Sequence, residues 1–114
     1  MATVSHQHLL LVEDDPRVTR NLIQQIHHYW ADFIVDCAAT LHDARQLIHQ
    51  NEYHFWLVDI ELGDGQGTEL LNEAVIPPVI IGMSASTQDW MIRDRFTLFL
   101  QKPFTMEELR PIFG

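Results

Sequence analysis

The rhythm of apolar and polar positions changes several times along this chain. HLLLV (8–12) is an almost continuous apolar run, as a strand buried on both faces requires. From Val18 to Trp30 the apolar positions fall at Val18, Leu22, Ile26 and Tyr29, which is helical spacing. FIVDCA (33–38) reads as a second strand, less apolar and therefore placed at an edge. Thr40 with Asp43 resembles a capping box, and Ala44, Leu47 and Ile48 supply the apolar stripe of the helix behind it.

A third strand follows in FWLVD (55–59), then a short helix in GTELLNEAV (67–75) that Pro77 and Pro78 stop. VIIGM (79–83) begins a fourth strand. Ser86 with Asp89 marks the start of a helix running to about Arg95, and TLFLQ (97–101) is the fifth strand. Thr105 with Glu108 caps a last helix, which Pro111 kinks or ends early. Strand and helix thus alternate five times over short connections. That pattern predicts one α/β domain over residues 1–114, a doubly wound parallel sheet with helices on both faces. In such sheets ligands collect at the carboxyl ends of the strands.

Composition narrows the partners. The 114 residues carry a formal net charge of −9, which disfavours nucleic acid and anionic membrane surfaces and leaves cations and basic protein faces. No apolar stretch approaches the ~20 residues of a membrane span. A single cysteine, Cys37, excludes an intrachain disulfide and predicts a cytoplasmic setting, with Cys37 itself read as a small buried hydrophobe. The seven histidines lack the spacing of a zinc site and read as surface residues. Trp30, Trp56 and Trp90 read as packing residues.

The strand ends carry the chemistry. Glu13, Asp14 and Asp15 follow the first strand, Asp59 ends the third, Ser84 follows the fourth, and Lys102 and Pro103 follow the fifth. Carboxylates gathered in one crevice repel unless a cation or a raised pKa offsets the repulsion. Oxygen ligands without His or Cys suit a hard ion such as Mg²⁺. A carboxylate, a hydroxyl, an ammonium and Mg²⁺ together compose a phosphoryl-transfer site, with the carboxylate as nucleophile and the cations neutralising the equatorial oxygens. Asp59 then stands on the lip of a rigid strand, and Gly63, Gly65 and Gly67 let the backbone fold closely around an incoming group. Asp15 reads chiefly as a helix-start carboxylate.

The segments LLLVEDDP, LVDIELGDGQGTELL, VIIGMSA and QKPFTMEEL, in that order, resemble the response-regulator receiver domains (CheY-like) of two-component signalling. The resemblance covers nearly the whole chain and implies strand order 2-1-3-4-5. It implies that Asp59 is the phosphoacceptor and that Glu13, Asp14 and Asp59 itself hold Mg²⁺, Asp14 directly and Glu13 through water. It further implies a Glu61 backbone carbonyl on the metal, Ser84 and Phe99 as switch residues, Lys102 on the phosphoryl group and a cis Lys102–Pro103 bond. The implied partner is a sensor histidine kinase or a histidine phosphotransfer protein, and an attached output domain would lie beyond these residues. Such a domain catalyses only its own phosphotransfer and dephosphorylation.

Three departures stand out. Residues 84–102 are about one helical turn shorter than in most receivers, so the fourth helix is expected to be short or displaced. Gly63 replaces a common proline and is expected to loosen the loop after Asp59. Pro111 is expected to stunt the last helix. The shortened fourth helix keeps in view a phosphorylation-independent interaction module with the same fold. Glu61, standing where Asp-x-Asp enzymes have their second carboxylate, keeps in view a small Mg²⁺-dependent phosphohydrolase with Asp59 as nucleophile.

Overall fold

The computed structural model describes residues 7–73 and 79–114, and within residues 87–90 the backbone alone. Three leucines in succession start the fold. Leu9, Leu10 and Leu11 in β1 (His8–Val12) are fully buried, and because strand side chains alternate they serve two different cores. Leu9 and Leu11 face one layer, Leu10 and Val12 the other. Full burial of each such side chain stabilises by about 1.5–3 kcal/mol, so this interior strand anchors both layers.

Around β1 stand β2 (Ile34–Ala38), β3 (Phe55–Asp59), β6 (Val79–Ser84) and β7 (Leu98–Gln101), all parallel in the order β2-β1-β3-β6-β7. Counting these five strands alone, that is the order 2-1-3-4-5. The helix α1 (Pro16–Tyr29) covers one face. Asp15 is its N-cap and accepts the Arg17 N–H at 2.9 Å, Pro16 starts the first turn, and Leu22 and Ile26 are buried. The helix α2 (Leu41–Gln50) covers the other face, with Thr40 accepting the Asp43 N–H at 3.1 Å and Leu41, Ala44 and Ile48 buried.

The remaining helices are tighter than their apolar spacing suggests. The segment after β3 is a 3₁₀ helix over Gly67–Asn72, and Pro77 and Pro78 lie outside the described residues. The shortened fourth helix is also 3₁₀, over Thr87–Arg95; the proposed Ser86–Asp89 cap and the packing role of Trp90 involve side chains outside the description. A 3₁₀ turn gains more length per residue, which lets nine residues close a connection that has lost a turn of chain. The last helix splits into a 3₁₀ turn, Met106–Leu109, and one α turn, α3 (Arg110–Phe113), with Pro111 in its first turn, where its missing N–H costs nothing.

Two other readings change. Cys37 is exposed: β2 is an edge strand, paired on one side only with β1, and the Cys37 side chain opens to a surface cleft beside α1. His8 is not a free surface residue: its Nε2 lies 3.0 Å from Asp36 and its ring 4.6 Å from that of Tyr53, whose hydroxyl donates to Asp36 at 2.8 Å.

The loop after Asp59 forms a hairpin, with Gly63 in its turn. Strands β4 (Glu61–Leu62) and β5 (Gly65–Gln66) pair antiparallel, and the chain then passes directly over the end of β3. Gly67 makes that crossing. A Cβ there would lie 2.1 Å from the Asp59 carbonyl oxygen and 2.7 Å from Val58 Cγ1. Gly63 has open space around it. Gly67→Ala is therefore expected to destabilise the fold by about 1–3 kcal/mol, as overpacking against backbone does. Gly63→Ala is expected to stay within about 0.5 kcal/mol of wild type. Urea unfolding midpoints of the two variants check the contrast.

Candidate functional site

Parallel strands end together, and here their ends bring charge together. β1 runs into Glu13 and Asp14, β3 ends at Asp59, β6 ends at Ser84, and β7 runs into Lys102. Carboxylate oxygens of Glu13, Asp14 and Asp59 all lie within 4.8 Å of one another. Glu13 is only 2% exposed and Asp59 5%, which would be costly for bare carboxylates. Lys102 supplies the compensation. Its ammonium donates to both Glu13 Oε1 and Asp59 Oδ2.

The backbone fixes the rest of the geometry. The Glu61 N–H donates to Asp59 Oδ1 at 2.9 Å, so the two oxygens of Asp59 have different partners, an amide on one side and an ammonium on the other. Glu13 Oε2 accepts the Asp15 N–H at 3.2 Å. The Lys102 N–H donates to the Ser84 carbonyl at 2.7 Å, and the following Lys102–Pro103 bond is cis. Above these groups opens a crevice of about 360 Å³, lined by Glu13, Asp14, Asp59, Glu61, Ala85 and Lys102 among others.

Ser84 and Phe99 stand behind this cluster. Ser84 is fully buried, and its Oγ accepts the Ser86 N–H at 3.0 Å. Phe99 is partly buried against the core on the α2 face, with its ring 5.6 Å from that of Phe96. Both rings lie over Gly82, where a Cβ would come within 2.9 Å of Phe99 and 3.0 Å of Phe96. The sequence reading did not single out Gly82 or Phe96; a glycine inside an otherwise apolar strand was the available signal. Asp15 turns to α1 as its cap, and Asp64, also overlooked, turns to α2.

The electrostatics show an excess of negative charge. Desolvation, followed by the hydrogen bond and charge of Glu13, raises the Asp14 carboxyl above its ordinary value. Burial works against the charged form of Lys102, but its hydrogen bonds and attraction to Asp59 and Glu13 outweigh that, so its pKa is raised. Three carboxylates face one ammonium. An all-oxygen donor set with unbalanced negative charge fits a hard divalent cation such as Mg²⁺, which Asp14, Asp59 and Glu13 could hold.

A model of the response regulator receiver domain matches residues 9–113. The chain belongs to that family. Solved structures share this receiver's fold over nearly its whole length. A CheY-like receiver domain from Methylobacillus flagellatus matches with a TM-score of 0.83 at 23% identity, covering 95% of this chain and 96% of its own. Another, from Methanospirillum hungatei JF-1, gives 0.79 at 25% identity over 94% and 90%. The response regulator TrrA from Thermotoga maritima, solved in complex with Mg(2+)-BeF, gives 0.80 at 20% identity over 92% and 94%. No curated protein sequence matches the chain significantly. Among the described residues of this receiver, no helix is long and apolar enough to cross a membrane.

Lys102 is the only lysine of the chain, which makes the site's alkaline titration readable. Tyr53 titrates nearby in pH, its hydroxyl raised by burial and then by the hydrogen bond to Asp36. Both groups hold their protons more tightly folded than unfolded. Their stabilisation is therefore complete below the ordinary values of 10.0 for tyrosine and 10.5 for lysine, and declines as pH rises beyond them. In metal-free protein the urea midpoint should fall above about pH 10. Tyr53→Phe should remove part of that fall and Lys102→Met another part. A wild-type midpoint that stays flat through this range contradicts the assignment.

Proposed function

We propose that this receiver relays a signal by taking a phosphoryl group on Asp59. The supporting observation is the seating of the Asp59 carboxylate on a rigid strand end, between the Glu61 amide and the Lys102 ammonium, with two further carboxylates beside it. The donor is a phosphohistidine on a sensor histidine kinase or a histidine phosphotransfer protein. One Asp59 oxygen attacks phosphorus as the N–P bond breaks; an O–P bond forms, and the electron pair returns to the imidazole of the donor. The chain's own groups orient and neutralise: the Glu61 N–H holds the carboxylate, and Lys102 moves its charge from Asp59 to the arriving phosphoryl oxygens.

Glu13, Asp14 and Asp59 would hold Mg²⁺, with the Glu61 carbonyl completing the protein's share, and the metal would neutralise charge on the phosphoryl oxygens. Response comes from Ser84 and Phe99. The Ser84 hydroxyl exchanges its contact with Ser86 for a phosphoryl oxygen, and the Phe99 ring follows within the slot over Gly82. Phosphorylation thereby biases a two-state equilibrium on the surface formed by β7 and the 3₁₀ segment before it.

Intact-protein mass spectrometry after incubation with acetyl phosphate and Mg²⁺ tests this reading. Wild type should gain one phosphoryl mass and Asp59→Asn none, and removing Mg²⁺ should abolish the gain. If folded wild type binds Mg²⁺ yet takes no label, the phosphorylation-independent interaction module becomes the better reading. The 3₁₀ form of the fourth helix is the observation on that side.

A further inference from the structure

The loop that follows Asp59 is tied to the start of α2. Asp64, at the tip of the β4–β5 hairpin, accepts the N–H of Leu41 at 2.9 Å and that of His42 at 3.2 Å. These are two of the donors that the first turn of α2 leaves without an intrahelical partner, and Thr40 takes a third, that of Asp43. The cap thus comes partly from the neighbouring residue and partly from a residue more than twenty positions away. The hairpin is also packed against the helix: Gly65, with φ of +150°, would place a Cβ 2.6 Å from Leu41 Cδ1. Beyond it, Glu69 accepts the Gln66 N–H at 3.0 Å, and Arg45 of α2 pairs with Glu69 at 3.6 Å and Glu73 at 2.8 Å.

A hairpin with two residues in each strand has little stability of its own. Its position is set by what it is fastened to. The residue that opens it is Glu61, whose N–H holds Asp59 and which borders the crevice. Asp64 is three residues further along the same ribbon, and its own carboxylate does not line that crevice.

We propose that Asp64 is a positioning residue for the Mg²⁺ site: by capping α2 from the hairpin tip it fixes the Glu61 backbone and so sets metal affinity. This rests on the reading of Glu13, Asp14, Asp59 and Glu61 as the Mg²⁺-binding group. Side chains that act on a metal only through its ligands still govern affinity, because a misplaced ligand must be reorganised when the ion binds. Coupling of this kind is reciprocal, so the bound ion must also strengthen the cap.

Isothermal titration of Mg²⁺ into four proteins tests the proposal. Asp64→Ala should weaken binding roughly tenfold, the lower end of what outer partners of a metal site carry. Asp64→Asn keeps an acceptor for the cap and should recover most of that loss. Thr40→Ala removes the other cap of the same helix end without touching the hairpin; it should lower the unfolding midpoint but leave the dissociation constant within about twofold of wild type. Equal affinities in Asp64→Ala and wild type overturn the proposal. So does equal weakening by Asp64→Ala and Thr40→Ala, which would assign the effect to helix stability. Amide hydrogen exchange on wild type gives a reading that needs no variant: Mg²⁺ should slow exchange at Leu41 and His42, and unchanged exchange with the ion bound overturns the proposal. Wild type that binds no Mg²⁺ at all overturns the metal reading, and the role of Asp64 with it.

Discussion

The ammonium of Lys102, held between the carboxylates of Glu13 and Asp59, joins three strand ends that would otherwise repel. Its partners are almost wholly buried, and the lysine side chain is itself only 20% exposed. In such surroundings a lost partner leaves an uncompensated charge, which costs about 3–5 kcal/mol. The ion triad is therefore both a structural lock on the carboxyl edge of the sheet and the resting state of the site. Nothing about the lock is saturated. Asp14 adds a third carboxylate, whose pKa is raised by desolvation first and by the hydrogen bond and charge of Glu13 after it, and a divalent cation would meet oxygen ligands already in place.

The rest of the fold keeps that triad in register. β1, β3 and β6 are buried on both faces, so their ends cannot shift without exposing leucines, isoleucines or Trp56. Gly67 lets the loop after Asp59 cross over the strand at backbone distance, and the β4–β5 hairpin returns the chain to α2. On the far side, Gly82 leaves the slot that Phe96 and Phe99 fill. Buried strands thus carry the charged groups, and the β4–β5 hairpin and the 3₁₀ helix before β7 lie next to them.

Much of this was legible in the sequence for a physical reason. Strands buried on both faces leave few places for polar side chains, so Glu13, Asp59 and Lys102 stand out where apolar runs stop. The order of elements followed from the same runs. Helix type did not, because apolar spacing over six to nine residues fits a 3₁₀ turn as well as an α turn. Cys37 was misplaced because the edge position of its strand was legible but how far the neighbouring helix covers each side chain was not. Asp64 was passed over because its partners, Leu41 and His42, are distant in sequence and only the folded chain brings them to it.

The central claim is that Lys102 stabilises the site by neutralising Glu13 and Asp59 together. A double-mutant cycle on metal-free protein tests it most directly, with unfolding free energies for wild type, Lys102→Met, Glu13→Gln and the double variant. The account predicts that Lys102→Met is strongly destabilising alone and much less so when Glu13 is already neutral, with a coupling energy of about 1–3 kcal/mol. Additive losses, with no coupling between the two positions, would contradict it.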